Sequence, residues 1–334
     1  MWLTSTRGLT RRGFFGEKHM RLPLLVCVAF CALIHSAAAS TALTVMTMNA
    51  WGAGGNNGKT IDETVAVLKK INPDIIGMQE TRRESIPCTD VCPASGPNRA
   101  ADIAKALGYY FYVQKQDNAA LWANAVFSRY PILGATKHDL GVIIDVKGRK
   151  VAVFNIHPTD FPYQPYQLLG IPYSGEPRLH TAAEAEDAAR KARGPAIALL
   201  KQDMPAADGA DLAFVFGDFN EPSYRDWTAR AAAIHRHPMV VRYPTALAVE
   251  QMGFTDALRS VYPDEIAKPA FTWSSHSALN DPNDHPDRID FIFVRGKTAK
   301  VDVAGVVGEQ KGLADVVVTP WPSDHRAVFA HLSF

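Results

Sequence analysis

The sequence predicts an α/β protein of two packed mixed β-sheets with helices on their outer faces. Three observations lead there. Short runs rich in Val, Ile and Phe alternate irregularly with helical patterns, the order expected of a layered α/β domain. Periodicity alone also admits a doubly wound parallel sheet. However, Gly141–Val146 and Val151–Ile156 flank Lys147-Gly148-Arg149-Lys150 as a hairpin would, which argues for antiparallel pairing and mixed sheets. No internal repeat or low-complexity linker divides the chain, so residues 40–334 read as a single domain.

Residues 1–39 read as an export signal peptide. Thr10-Arg11-Arg12-Gly13-Phe14-Phe15 resembles a twin-arginine signal, Leu22–Ile34 is an apolar run, and Ala37-Ala38-Ala39 is a small-residue cleavage site. A start at Met20 would leave a general secretory signal instead, and both readings end in export to the periplasm or outside the cell. The apolar run is shorter than the ~20 residues of a spanning helix. Phe30 before Cys31 is too large for a lipoprotein box, so no stable membrane anchor is expected. Removing this segment takes away five basic residues and one acid, turning a formal charge of +1 into −3. That lacks the basic field of non-specific nucleic-acid binding and weighs against DNA as a partner without excluding it. Cys88 and Cys92 stay in the mature chain, and in an oxidising compartment they are expected to form a small-loop disulfide.

Ala42–Met48 is the first strand, and the Gly- and Asn-rich loop AGGNNGK follows it. Thr60-Ile61-Asp62-Glu63 is a capping-box pattern, with Ile61, Val65, Leu68 and Ile71 as the helical stripe after it. Pro73 stops that helix before a strand at Ile75–Met78. Further strands are expected at Ala125–Ser128, Leu212–Phe216, Ile289–Val294 and Ala327–Leu332. A helix is expected over Leu179–Leu200, broken or kinked at Gly194-Pro195.

Several strands end or begin in polar residues. Asn49 follows the first strand and Gln79-Glu80 the second; Asn155-Ile156-His157 ends another, and Gly217-Asp218-Phe219-Asn220 another. Asp290 opens a strand, and Ser323-Asp324-His325 precedes the last one. Singly, each has a plain reading as a turn former, a cap or a structural histidine. Alternation along an extended chain would put Asp218 and Asn220 on one side and Phe219 on the other. Together they supply carboxylate and amide oxygens, two histidines and no thiol, a set suited to a hard cation: Mg²⁺, with Mn²⁺ or Ca²⁺ as alternatives. Such a cation beside histidines is what phosphate-ester hydrolysis needs.

MNAWG, MQE, NIH, GDFNEP, RIDFIF and SDHRAV, in that order from Asn49 to His325, resemble the motif series of the endonuclease/exonuclease/phosphatase superfamily. That family includes pancreatic-type deoxyribonucleases, abasic-site endonucleases, inositol polyphosphate 5-phosphatases and neutral sphingomyelinases. The resemblance implies a four-layer α/β sandwich with the site at one edge of the two sheets. It also implies that Glu80 is the principal Mg²⁺ ligand, with Asn49 and Asp324 beside it. Asp218 would orient or deprotonate the attacking water and Asn220 would hold a phosphoryl oxygen. His325, its ring fixed by Asp290, would contact the phosphate. His157 would stabilise the pentacovalent state or protonate the leaving group, in one in-line step without a covalent intermediate.

The segment PTDFPYQPYQLLGIPYSGEPR after His157 reads either as a stiff loop or as a substrate wall, with Tyr163, Tyr166 and Arg178 as candidate contacts for a compact headgroup. The loop Ser274–Asp287, carrying His276 and His285, reads as solvated turns rather than as a second metal site. Arg82 and Arg83 either meet phosphate or are surface charge. The expected function is a secreted phosphoesterase acting on a small or lipid-derived phosphate ester, as a monomer. A secreted nuclease and a non-catalytic binding protein are the alternatives.

Overall fold

Val and Met alternate with Thr along β1 (Ala42–Asn49), so that Leu43 and Val45 face one core and Met46 and Met48 another. A strand buried on both faces belongs inside a stack of layers, and the remaining elements form that stack. In chain order follow α1 (Ile61–Ile71), β2 (Ile75–Gln79), the short pair β3 (Arg83–Glu84) and β4 (Ala94–Ser95), α2 (Ala100–Leu107), β5 (Tyr110–Val113), β6 (Ala125–Ser128), β7 (Ile132–Ala135), β8 (Gly141–Val146) and β9 (Arg149–Ile156). The second half supplies α3 (Gln164–Leu169), α4 (Ala182–Asp203), β10 (Leu212–Asp218), α5 (Ala229–Ala233), α6 (Pro244–Gln251), β11 (Thr255–Asp256), α7 (Ala257–Val261), β12 (Asp290–Arg295), β13 (Lys300–Gly308), β14 (Val316–Val317) and β15 (Ala327–Ser333). This is a computed structural model that describes residues 16, 40–84 and 94–334. The signal segment, residue 16 apart, and the Cys88–Cys92 pair lie outside the described residues.

One sheet runs β14-β13-β15-β1-β2-β6-β5 and the other β11-β12-β10-β9-β8-β7. Each is mixed about a central parallel pair, β1 with β2 and β9 with β10, as the hairpin argued. That hairpin closes on two residues, Lys147 and Gly148, both at positive φ, with Val146 opposite Arg149. Val45, Ile75, Val153, Phe214 and Phe216 fill the space between the sheets. Val65, Leu68 and Ile103 of α1 and α2 pack against the outer face of the first sheet, and Ala196, Ile197, Leu200 and Val249 of α4 and α6 against that of the second. The order is helix, sheet, sheet, helix: the four-layer α/β sandwich. The sheets approach closely at Gly77, since a Cβ there would stand 2.8 Å from the Phe216 Cβ.

Thr60 and Glu63 close both halves of the capping box of α1. The break expected at Gly194-Pro195 does not occur, because α4 runs continuously from Ala182 to Asp203. A proline ring clashes with the Cβ of the residue before it, and glycine has none. The ring then costs one backbone hydrogen bond, which burial of Ala196, Ile197 and Leu200 offsets. The strands β5, β7 and β13 were not foreseen; Tyr110, Phe111 and Leu133 of β5 and β7 are exposed, and neither strand shows clean alternation.

Candidate active site

The parallel strands β1, β2, β9 and β10 all end at one edge of the sandwich, where β12 and β15, antiparallel to their neighbours, begin. Asn49, Glu80, His157 and Asp218 therefore arrive from strand C-termini, and Asp290, Asp324 and His325 from strand N-termini. Asp218 stands opposite Asp290 in the register of β10 and β12. A cavity of about 430 Å³ opens there.

Asp218 is the centre of the polar array and is 1% exposed. Its Oδ2 accepts from Asn49 Nδ2 at 3.0 Å and lies 3.5 Å from Nε2 of both His157 and His325. Its Oδ1 accepts the backbone N–H of Asn220 at 2.8 Å. Asn220 has φ 50, so the chain leaves the extended form there and curls back over the carboxylate. The expected side-to-side alternation thus stops at Phe219, which is buried against Phe291 and Phe293. Asn220 Nδ2 donates to the Pro158 carbonyl at 3.0 Å. Glu80, also at positive φ, accepts from Asn49 Nδ2 at 2.8 Å and lies 3.9 Å from His157 Nε2. Asn49 Oδ1 takes the Trp51 N–H, which leaves this oxygen one further lone pair.

His325 and Asp290 form a pair, Nδ1 to Oδ2, at 3.0 Å. Two residues before Asp290, the Arg288 guanidinium is buried between Asp226 and Asp256 at 2.9 and 2.8 Å and lies over Phe291. Asp290 also takes Thr272 Oγ1 at its backbone N–H. The ring partner of His157, for which the sequence offered no acid, is a backbone carbonyl: Nδ1 stands 3.4 Å from Trp122 O.

The charges follow from this geometry. Burial pulls His157 down, but Asp218 and Glu80 outweigh it and hold it up at about 9. Burial likewise opposes charge on His325, and Asp290 and Asp218 raise it well above the usual imidazole range. Burial would raise Asp218, yet His325 and His157 bring it down to about 2. Glu80 is pushed up to about 7, by burial first and further by Asp324, against the pull of His157. Burial also raises Asp324 and Asp290. Two carboxyls, Glu80 and Asp324, thus destabilise each other's charge with no Lys or Arg lining the cavity among the described residues. Asn49, Glu80 and Asp324 present hard oxygen donors, and this shortage of positive charge fits a divalent cation.

Around the polar floor stand Trp51, Trp122, Tyr163, Tyr166, Tyr173 and Trp273. The tyrosines of the Pro- and Tyr-rich segment do line the cavity: Tyr166 stands on the short helix α3, Tyr163 is its N-cap residue, and Tyr173 follows in a loop. Their hydroxyls are anchored behind it, Tyr163 on Asp287 at 2.8 Å and Tyr166 on Asp284. Arg178 is not brought to the site; it is exposed and its guanidinium packs over Gly170. Arg82 donates to Gly96 O and Arg83 packs along Gly52 and Gly55, so both fall outside the cavity lining. The tryptophans were missed. Trp273 lies 4.9 Å from the His325 ring and Trp122 is edge-on to His157. Only MNAWG carried a hint, an aromatic directly after a strand-end polar residue.

A sandwich that gathers carboxylates, amides and two imidazoles into one open cavity at its strand ends defines a metal-dependent hydrolase of phosphate esters. Residues 46–325 match the family model described as the Endonuclease/Exonuclease/phosphatase family, and the chain belongs to that family. A protein of Caenorhabditis elegans described as uncharacterized, F14F9.5, is 26% identical over 325 residues, 93% of this chain and 98% of its own. Among solved structures, an endonuclease/exonuclease/phosphatase family protein from Leptotrichia buccalis is 16% identical with a TM-score of 0.51, covering 87% of this chain and 100% of that one. A 3′ phosphatase, NExo, from Neisseria, bound to a product DNA hairpin, is 17% identical with a TM-score of 0.50, over 86% of this chain and 98% of that one. At these identities the solved structures carry the fold.

Proposed function

We propose that the protein is an exported, Mg²⁺-dependent phosphoesterase that hydrolyses a small or lipid-derived phosphate ester with a compact headgroup. One observation supports this above others: the cavity joins six aromatic walls to the polar floor and has no Lys or Arg in its lining among the described residues. A polyanion needs counter-charge along its track, whereas Asp117, Asp160 and Glu84 line this cavity instead. Aromatic faces beside acids suit a neutral or cationic headgroup.

Each group has a role its surroundings support. Asp218, ionised at any working pH, accepts a hydrogen bond from the attacking water and orients it. With a pKa of about 2 it is a weak base, so orientation is its larger contribution. His325, charged and steadied by Asp290, donates from Nε2 to a phosphoryl oxygen. Asn220 keeps one amide N–H for a second oxygen. His157, protonated at neutral pH, gives its Nε2 proton to the leaving oxygen. When bound by Glu80 and Asp324 with Asn49 beside them, Mg²⁺ supplies neutralisation of phosphoryl charge.

The export signal at 1–39, cleavage before Ser40, one catalytic domain over 40–334 and a monomeric state belong to the same reading. The start of the compact unit at Ser40 supports the boundary. N-terminal sequencing of the secreted protein and light scattering test these points. For the activity, a panel of choline, inositol, sugar and nucleoside phosphate esters is assayed with Mg²⁺ beside plasmid DNA. Asp218→Asn and His325→Ala serve as controls against a contaminant. Turnover of a small ester, lost in both variants, is expected. DNA cleavage exceeding every small ester would make the protein a nuclease, and wild-type rates in both variants would dismiss the site.

A further inference from the structure

Beside the catalytic cavity lies a larger one of about 880 Å³ that shares none of its lining residues. His237 and His285 line it, 3% and 8% exposed, with His237 Nδ1 2.9 Å from His285 Nε2. Next to them is the carboxylate of Asp287, 1% exposed, and one ligand atom from each of the three lies within 4.8 Å of the others. Asp287 accepts two neutral hydrogen bonds, from Trp227 Nε1 and Tyr163 OH, each at 2.8 Å. Among the described residues no Lys or Arg forms an ion pair with it. Arg259 and Arg288 are committed to Asp226 and Asp256.

We propose that His237, His285 and Asp287 are a second metal site, taking a divalent transition ion of the Zn²⁺ class. Two imidazoles and one carboxylate are a donor set for such ions, whereas the oxygen-rich catalytic floor suits Mg²⁺. Nitrogens on a tetrahedral Zn²⁺ stand about 3.3 Å apart, so the pair must open by only a few tenths of an ångström. The buried carboxylate of Asp287 has no cationic partner among the described residues, a cost that a cation would remove. The Trp227 and Tyr163 hydrogen bonds orient its carboxylate from behind, as ligating carboxylates require. A bare hydrogen-bonded imidazole pair accounts for the 2.9 Å contact but leaves the buried acid uncompensated. The cavity that the two histidines line would give water access to the ion. Asp287 also pairs through its backbone with Trp273, so the ion would brace Tyr163 and Trp273, two walls of the catalytic cavity.

The test uses the full mature protein, stripped with chelator and titrated with Zn²⁺ or Co²⁺ in millimolar Mg²⁺. Wild type and Glu80→Gln are expected to bind one more equivalent of Zn²⁺ than His285→Ala or His237→Ala, and to give visible Co²⁺ bands that the histidine variants lack. Equal stoichiometry in wild type and both histidine variants overturns the site. If those variants do not fold, a wild-type crystal soaked in Zn²⁺ decides. An anomalous peak bounded by the three side chains supports the proposal, and its absence, including a peak only at Glu80, rejects it.

Discussion

Asp290→Asn separates catalytic positioning from stability at one buried atom pair. The Asp290 carboxylate is fully buried; Oδ2 holds His325 Nδ1 at 3.0 Å, and Oδ1 has no partner. Asparagine keeps the shape and an acceptor but removes the charge. A hydrogen bond to a charged group contributes about 1.5–3 kcal/mol. If that interaction holds the charged His325 against the phosphate in the transition state, kcat/KM falls roughly 10- to 150-fold, at about 1.4 kcal/mol per decade. Stability should move little. An acid whose folded pKa is raised costs stability as pH climbs through the range between its unfolded and folded values. At pH 7 the neutral asparagine avoids that cost, but the buried His325 ring, which Asp290 helps to hold charged, loses its partner, so the two effects oppose and Tm is expected to shift little. The assay is kcat/KM on the best small ester, with Tm by calorimetry and the His325 titration by NMR. His325 should titrate at lower pH in the variant. A loss under threefold with an unshifted His325, or a loss that merely tracks a falling Tm, refutes the positioning argument.

Three further outcomes follow from the same geometry. His157 gives its proton below about 9 and lacks it above, so kcat/KM should show an alkaline limb at or below that pH, since a cation at Glu80 weakens the field holding the proton; a limb retained in His157→Gln would assign it to another group. Chelation should abolish turnover and Mg²⁺ restore it, with Glu80→Gln needing at least tenfold more Mg²⁺ by titration; full activity of chelated protein contradicts the donor-set argument. Gly217→Ala would set a Cβ 2.1 Å from the Ile156 carbonyl oxygen, parting β9 from β10 beside Asp218. Overpacking of this kind costs on the order of 2–3 kcal/mol, or about 3–5 °C in Tm by calorimetry for a domain of this size, and an unchanged Tm would mean the strands can part freely.

How far the sequence reached depended on distance along the chain. Strand ends were legible because a buried apolar run bounded by a polar residue is a local signal, and six such boundaries recur in family order. What packs on them was not. Trp122 and Trp273 reach the cavity from loops, 35 and 52 residues in sequence from the histidines beside them. His285 and Asp287 sit in an Asn-, Asp- and Pro-rich stretch that reads as solvated turns, yet they are buried with His237 and Trp227 from a segment some fifty residues earlier. Arg178 and Arg82 carry the right charge for phosphate, but backbone direction turns them elsewhere.

Asn155 shows why a strand-end polar residue is not by itself a site. It faces inward between the sheets, as Asp218 does, but stops one step short. Its Nδ2 donates to Met78 O, Ala125 O and Gln114 Oε1, and its Oδ1 accepts from Gln79 Nε2. Inward positions recur every second residue, and along each strand they change character in the same order. On β1 they pass from Val45 through Thr47 to Asn49, on β2 from Ile75 through Gly77 to Gln79 and then Glu80, and on β10 from Phe214 and Phe216 to Asp218. An apolar layer gives way to a neutral, mutually bonded one (Thr47, Gln79, Asn155), and that to a charged one at the rim. The order follows from desolvation: a buried amide needs only hydrogen-bond partners, which Asn155 has in full, whereas a carboxylate needs a cation or water within reach. The neutral layer thus fixes the depth of the site, setting its charges one residue beyond the dry core, where substrate, ion and water can meet them.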